Sequence, residues 1–79
     1  MKYCDGQEVN LGDKVRLGQD SGGVVVCSID TDEYDDDYPK AQWDYLKRGV
    51  MINFPLYGLI HYVEPEPDLL LIHRNELTK

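Results

Sequence analysis

The sequence predicts a mostly β domain, a small five-stranded barrel with one short α-helix between its second and third strands. Seventy-nine residues are enough for one domain, residues 1–79, with a thin core. Short apolar runs separated by Gly and Pro residues are typical of strands joined by turns, and only one stretch has helical spacing. We expect the sheet to close into a barrel, because closure removes the edges that so small a sheet would otherwise expose.

The first two strands are predicted to form a hairpin. Val15 and Leu17 alternate with Lys14 and Arg16, which is the pattern of a strand with one buried face. The Gly-rich stretch "GQDSGG" follows as a tight turn, and the apolar run "VVVCSI" then forms the second strand.

The one predicted helix covers about residues 39–48. Pro39 suits the first turn of a helix, and Gly49 follows as a stop signal. Trp43 and Leu46 lie three residues apart, so they share the helix face that we expect to pack on the sheet.

Three further strands complete the predicted sheet. The runs "VMINF" and "LIHYVE" are rich in β-forming residues and are separated by "PLYG", which indicates a second hairpin. By alternation, Val50, Ile52 and Phe54 share one face of their strand. The stiff connector "EPEP" follows, and residues 69–72 form the last strand.

An acidic segment, residues 30–38, carries most of the net charge. The chain has a formal charge of −7, and six carboxylates between Asp30 and Asp37 contribute −6 of it, which leaves nine acidic against eight basic residues elsewhere. This segment is unsuited to binding DNA or RNA, because contacts to phosphate need Lys and Arg. It favours a cationic partner instead.

The acidic segment is predicted to be a partner-binding surface. Tyrosines lie among the carboxylates, and interfaces favour tyrosine, whereas an acidic linker that only confers solubility needs no aromatic residues. The alternative is a solvated, poorly ordered connector. The predicted contact residues are Asp30, Asp32, Glu33, Tyr34, Asp35, Asp36, Asp37, Tyr38, Asp44 and Tyr45.

No metal site, cofactor or catalytic group is predicted. The acidic segment lacks the glycine and the closing glutamate of an EF-hand calcium loop. The candidate zinc ligands Cys4, Cys27, His61 and His73 are not paired at short spacing. A nucleophile and base formed by Cys27 and His61 would require the barrel to bring them together, so an enzyme is not expected.

The chain is expected to be a reduced, cytoplasmic protein. Its opening residues have no apolar run typical of a signal peptide, and no segment reaches the ~20 apolar residues of a membrane span. Two cysteines do not make a disulfide framework, although pairing of Cys4 with Cys27 stays open, as does the oligomeric state.

Two short motifs lie on either side of the turn in the N-terminal hairpin. They are a "GD-x-V-R" strand start at Gly12, Asp13, Val15 and Arg16, and a "G-x-V" after the turn at Gly22, Gly23 and Val24. With these motifs the hairpin resembles the KOW/Tudor kind of SH3-like barrel. The resemblance implies that the predicted barrel is SH3-like, a fold that binds RNA, DNA or peptides. The usual nucleic-acid surface of KOW domains is basic, whereas the segment after the second strand is acidic here.

Taken whole, the chain resembles small bacterial immunity proteins of polymorphic-toxin or secretion systems. The points of resemblance are its length, its charge, the barrel and the block "WDYLKRGVMI…YGLIHY". This resemblance implies a compact cytoplasmic protein that neutralises a cognate toxin by direct binding. The implied partner is a toxin with a basic surface, such as a nuclease, because such toxins need a basic groove to hold phosphate.

Two other functions are left open by the sequence. A nucleic-acid-associated regulator would use a basic face made by Lys14, Arg16, Lys47 and Arg48. A peptide-binding adaptor would hold a cationic peptide in an aromatic pocket made by Tyr57, Tyr62 and Trp43.

Overall fold

In the computed structural model, which describes residues 1–74, six strands pair into one antiparallel sheet and one short helix follows the third strand. The mostly β class is therefore confirmed. The strands are β1 (Lys14–Leu17), β2 (Asp20–Ser28), β3 (Glu33–Tyr34), β4 (Val50–Phe54), β5 (Gly58–Tyr62) and β6 (Leu69–His73), and the helix is α1 (Lys40–Trp43), followed by a 3₁₀ turn at Asp44–Leu46.

The strand order across the sheet is β5-β4-β2-β1-β6, and β3 pairs with the end of β2. All five predicted strands are present. The additional strand, β3, lies inside the acidic segment, where two residues are too few to show an alternating pattern. Within residues 1–74 the sheet is open, because β5 and β6 form its two ends and no described ladder joins them.

The helix is shorter than predicted, and it follows the third strand rather than the second because β3 intervenes. Four residues form α1, and the chain then tightens into the 3₁₀ turn. Lys47 ends this turn with a positive φ of 75°. Gly49 has a φ of 96°, and a Cβ at this position would overlap the carbonyl oxygen of Tyr62, so both conformation and space require glycine here.

The main core lies on the inner face of the sheet. Val50, Ile52 and Phe54 all point into it, as their alternation predicted. Gly23 lies opposite Val15 in the β1–β2 ladder, and a Cβ on Gly23 would overlap the ring of Phe54. The buried residues of this core are Tyr3, Val9, Val15, Val25, Val50, Ile52, Phe54 and Leu69.

A bulge in β2 creates a second core on the outer face. Val25 pairs with Ile52 and Cys27 pairs with Met51, so Val26 is an extra residue between the two pairs. Val25 therefore packs in the main core, whereas Val26, Cys27 and Met51 form a separate buried cluster, which we call the second cluster.

Candidate functional site

The acidic segment is anchored on the outer face of the sheet by the second cluster. Tyr34 and Tyr38 are half-buried and pack against this cluster, and the rings of Tyr38 and Trp43 lie 6.2 Å apart with a tilt of 40°. In addition, Tyr34 pairs with Cys27 in the β2–β3 ladder. The segment is therefore a packed part of the fold rather than a free connector.

Two carboxylates of the acidic segment, those of Asp32 and Glu33, make local contacts at the surface. Lys40 Nζ lies 2.9 Å from Asp32 Oδ1, and more than half of each side chain is exposed, so solvent screens this ion pair and it adds little to the stability of the fold. Glu33 accepts a hydrogen bond from the hydroxyl of Thr31 at 3.0 Å. These contacts support the turn and leave both negative charges in solvent.

Four exposed carboxylates and one exposed tyrosine make up the acidic face, by which we mean Asp35, Asp36, Asp37, Asp44 and Tyr45. All five residues are exposed, and Tyr45 has 65% of its surface exposed. Asp35 accepts the backbone N–H of Asp37 at 3.0 Å. The side chains of Asp36, Asp37 and Asp44 have no hydrogen bond or ion pair to any residue in 1–74, so they are free to meet a partner.

The Tyr34 hydroxyl is close enough to Asp44 to feel the charge of its carboxylate, although Asp44 comes after α1 in the chain. Burial raises the pKa of the Tyr34 hydroxyl, and the nearby carboxylates of Asp32 and Asp44 raise it further. Of the three tyrosines predicted as contacts, Tyr34 and Tyr38 pack inward, and Tyr45 is the one that is largely exposed.

Asp30 ties the start of the acidic segment to distant parts of the chain. Its carboxylate accepts the N–H of Gly49 at 3.0 Å and pairs with the Met1 ammonium, which also lies 3.1 Å from Glu8. Burial raises the pKa of Asp30, but the hydrogen bonds from the ammonium and from Gly49 lower it below the ordinary 3.8. Burial lowers the pKa of the ammonium, but its hydrogen bonds to Asp30 and Glu8 raise it above the ordinary 8.0.

We expect the ion pair between Asp30 and the Met1 ammonium to stabilise the fold most at pH values between the titration of the carboxylate and the titration of the ammonium. Because the pKa of Asp30 is lower in the folded state, its contribution is present above 3.8 and is lost as pH falls through the folded value. Because the pKa of the ammonium is raised, its contribution is present below 8.0 and is lost as pH rises through the folded value. Urea midpoints of the wild type and Asp30→Asn should differ most near neutral pH, and the difference should shrink at both extremes. A difference that is constant with pH would contradict this assignment.

The candidate catalytic pair is kept apart by β4. Cys27 and His61 both pair with Met51, from opposite sides. Neighbouring strands are about 4.8 Å apart, so the two side chains are separated by roughly 10 Å, which is beyond hydrogen-bond reach. His61 contacts the carbonyl oxygen of Arg48 instead, with an Nε2–O distance of 2.8 Å. Among residues 1–74, no three His, Cys, Asp or Glu side chains are grouped so that they would hold a metal ion.

The two cysteines are unpaired and differ in exposure. Cys4 is exposed, and Cys27 is buried in the second cluster. Burial, and then the nearby Asp35 carboxylate, raise the pKa of the Cys27 thiol to about 11, so little of the reactive thiolate exists at neutral pH. We expect iodoacetamide to alkylate Cys4 in the native protein and Cys27 only after unfolding, as measured by peptide mass spectrometry. Equal labelling of both cysteines in the native state would speak against the packing of the second cluster.

Sequence reasoning missed the role of Asp13, which is fully buried. Its Oδ2 accepts hydrogen bonds from the hydroxyl of Tyr3 at 2.8 Å, the N–H of Asn10 at 2.9 Å and Nη1 of Arg74 at 3.1 Å. These bonds join the N-terminal arm to the end of β6. The motif "GD" indicated only a strand start, because a buried acid has no signature in periodicity.

Sequence reasoning also missed the role of Asp20, because burial of an acid leaves no signature in the periodicity. It is buried, and it accepts the N–H of Gly22 at 3.0 Å and the N–H of Leu56 at 2.7 Å. The two hairpin turns are therefore linked through a single carboxylate. Both Asp13 and Asp20 have structural rather than partner-binding roles.

The aromatic residues of the adaptor hypothesis lie in different places. Trp43 packs on the second cluster, and Tyr62 packs against the main core. Tyr57 is exposed and meets Phe54 edge-on at 6.1 Å. No shared cage of these three side chains is present in the described structure.

No helix among the described residues is long and apolar enough to cross a membrane. Comparison of the chain with family models, with curated proteins and with solved structures finds no match.

Proposed function

We propose that this chain is a protein-binding immunity protein, which neutralises a cognate cationic toxin by covering the toxin's basic surface with the acidic face. The observation that carries the proposal is the placement of charge: free carboxylates and an exposed tyrosine lie on a segment that a buried cluster holds in position. A preorganised surface loses less conformational entropy on binding than a free linker does.

The proposed mechanism is competition for the groove in which a nuclease or related toxin holds phosphate. Carboxylates steer a cationic partner and pair with its arginines, while Tyr45 supplies contact area. The toxin is inhibited because its substrate is excluded. This chain needs no catalytic group, metal or cofactor for that action.

For the fold, we infer an SH3-like barrel that stays open between β5 and β6 within residues 1–74. Support comes from the pairing order, in which β1, β2, β4 and β5 follow one another as an antiparallel meander and β6 returns to pair with β1. Such a return of the last strand to the first is the pairing that a small SH3-like barrel requires.

The experiment that tests this function uses the protein encoded directly upstream of this chain. We expect calorimetry to show a tight complex that weakens as salt is added, and co-expression to restore growth of cells that produce the upstream protein. No complex, or a complex without protection of growth, would count against the proposal. If the complex protects growth but its affinity does not change with salt, inhibition would be supported and the acidic face would be contradicted as the binding surface.

A nucleic-acid-associated regulator is the second candidate. Lys14 and Arg16 are exposed on β1, which favours it, but Arg48 lies close to Asp30 rather than on a basic face away from the acids. Retention on immobilised RNA or DNA that falls steeply with salt would support this second candidate.

A further inference from the structure

The outer side of the β1–β6 ladder is a second surface, and its charge is opposite to that of the acidic face. Lys14 and Arg16 are exposed on β1, while Leu70 and Ile72 on β6 are 54% and 51% exposed. Arg16 lies directly opposite Leu70 in the ladder. Although the chain has a net charge of −7, neither strand contains an acidic residue. We call Lys14, Arg16, Leu70 and Ile72 the basic–apolar face.

The neighbouring strand, β6, has a free edge. It pairs with β1 on one side and is the last strand in the sheet order, and no strand within residues 1–74 pairs with its other side. Natural edge strands are commonly protected by charged side chains, proline or bulges, whereas β6 reads "LLLIH", without proline or a fully charged residue. Its pairing with β1 is regular from Leu69 to Leu71 and shifts register only after Leu71, where His73 pairs with Lys14. Unpaired backbone donors and acceptors on such an edge form a template for an added strand.

We propose that the β6 edge and the basic–apolar face bind an extended acidic segment of another protein, which joins the sheet as a strand. The backbone of this segment continues the ladder, and its inward-facing apolar residues extend the surface of the half-buried Leu71. Its outward-facing acidic residues cover Leu70 and Ile72 with their methylene groups and direct their carboxylates at Lys14 and Arg16.

The dimensions suit this arrangement. An added strand would lie about 4.8 Å from β6 and about 10 Å from β1. A glutamate on the added strand and a lysine or arginine on β1 span that gap together. Arg16 is already oriented, because its Nε–H donates to the carbonyl oxygen of Gly18 at 2.8 Å.

The same observations favour an acidic peptide over a nucleic acid. The face has two cations, whereas DNA-binding proteins commonly make roughly 6–10 phosphate contacts. A nucleic acid also has no backbone ladder that would use the free β6 edge. The inference is independent of the proposed function, since none of these residues belongs to the acidic face.

The test titrates the full chain with a blocked peptide of about seven residues, a typical strand length, in which valine and glutamate alternate. The control peptide has lysine in place of glutamate. We expect NMR shifts and slowed amide exchange in β6, with the glutamate peptide binding at least about tenfold more tightly. No binding at millimolar peptide, or equal binding of the lysine peptide, would overturn the proposal.

Variants then locate the contact. Lys14→Gln combined with Arg16→Gln should weaken binding at least about tenfold, whereas Lys47→Gln combined with Arg48→Gln removes the same charge elsewhere and should not. Ile72→Glu places a negative charge against the acidic residues of the peptide and should abolish binding while the far-UV spectrum is retained. The assignment would be refuted if neither the β1 double variant nor Ile72→Glu changed the affinity. It would also be refuted if a single-stranded oligonucleotide bound more tightly than the peptide through the same residues.

Discussion

Replacing Phe54 with alanine is expected to lower the free energy of unfolding by about 3–5 kcal/mol, because it removes the ring of the largest fully buried side chain and leaves a cavity in the core. A domain of this length has only about 4–12 kcal/mol of stability in total, so the variant should unfold at a much lower urea concentration. Circular dichroism during urea denaturation measures the loss. Leu56→Ala is the matched control, since Leu56 is 71% exposed in the turn after the same strand, and its effect should stay within about 0.5 kcal/mol. Similar losses in the two variants would mean that Phe54 is not the centre of the core.

Gly23 and Phe54 are expected to be coupled. A Cβ on Gly23 would overlap the Phe54 ring, so Gly23→Ala alone should cost about 1–3 kcal/mol through overpacking. In the Phe54→Ala background the same change should cost less, because the new methyl group enters the space that the ring has left. A double-mutant cycle measures this coupling. Strictly additive losses would show that the ring is not what excludes a side chain at Gly23.

Periodicity predicted the inner face of β4, because every second residue of this strand enters the main core. Val50, Ile52 and Phe54 alternate with Met51 and Asn53, which face the other side, and their shared face follows from the alternation. The burial of Met51 on the outer face does not follow from it. The bulge at Val26 does not follow from local pattern, since it depends on where β4 pairs along β2. The second cluster, which holds the acidic segment, was hidden from the sequence for that reason.

The sequence predicted which residues make the candidate site acidic, but it did not predict the contacts that these residues make in the fold. A run of acids indicates charge, but it does not show which carboxylates are already bonded. Asp30 is bonded to Gly49 and to the Met1 ammonium, 19 and 29 positions away in the chain. The helix was predicted too long because its signals did not show the positive φ at Lys47, which ends the 3₁₀ turn early and leaves Leu46 packed on the second cluster.

Reversing the charge of the free carboxylates should have the largest effect on the proposed partner binding. We choose Asp36→Lys, Asp37→Lys and Asp44→Lys together, because these side chains make no described contact that the fold needs. Asp35 is kept, since it accepts the N–H of Asp37. The association rate with the partner should fall by about tenfold or more at low salt, and the difference should shrink as salt screens the charges. Stopped-flow mixing at several salt concentrations measures both effects.

The matched control reverses three acids outside the acidic face, Glu64, Glu66 and Asp68, which lie together between β5 and β6. Glu64 and Asp68 are exposed, and Glu66 is half-buried. Both triple variants change the net charge by the same amount. If the overall charge alone steered the partner, the two variants would slow association equally, because long-range attraction depends on the summed charge. If the acidic face docks, only the first variant should also dissociate faster, because short-range pairing is lost there and not in the control. Equal behaviour of the two variants would therefore contradict the acidic face as the binding site, whatever the total affinity.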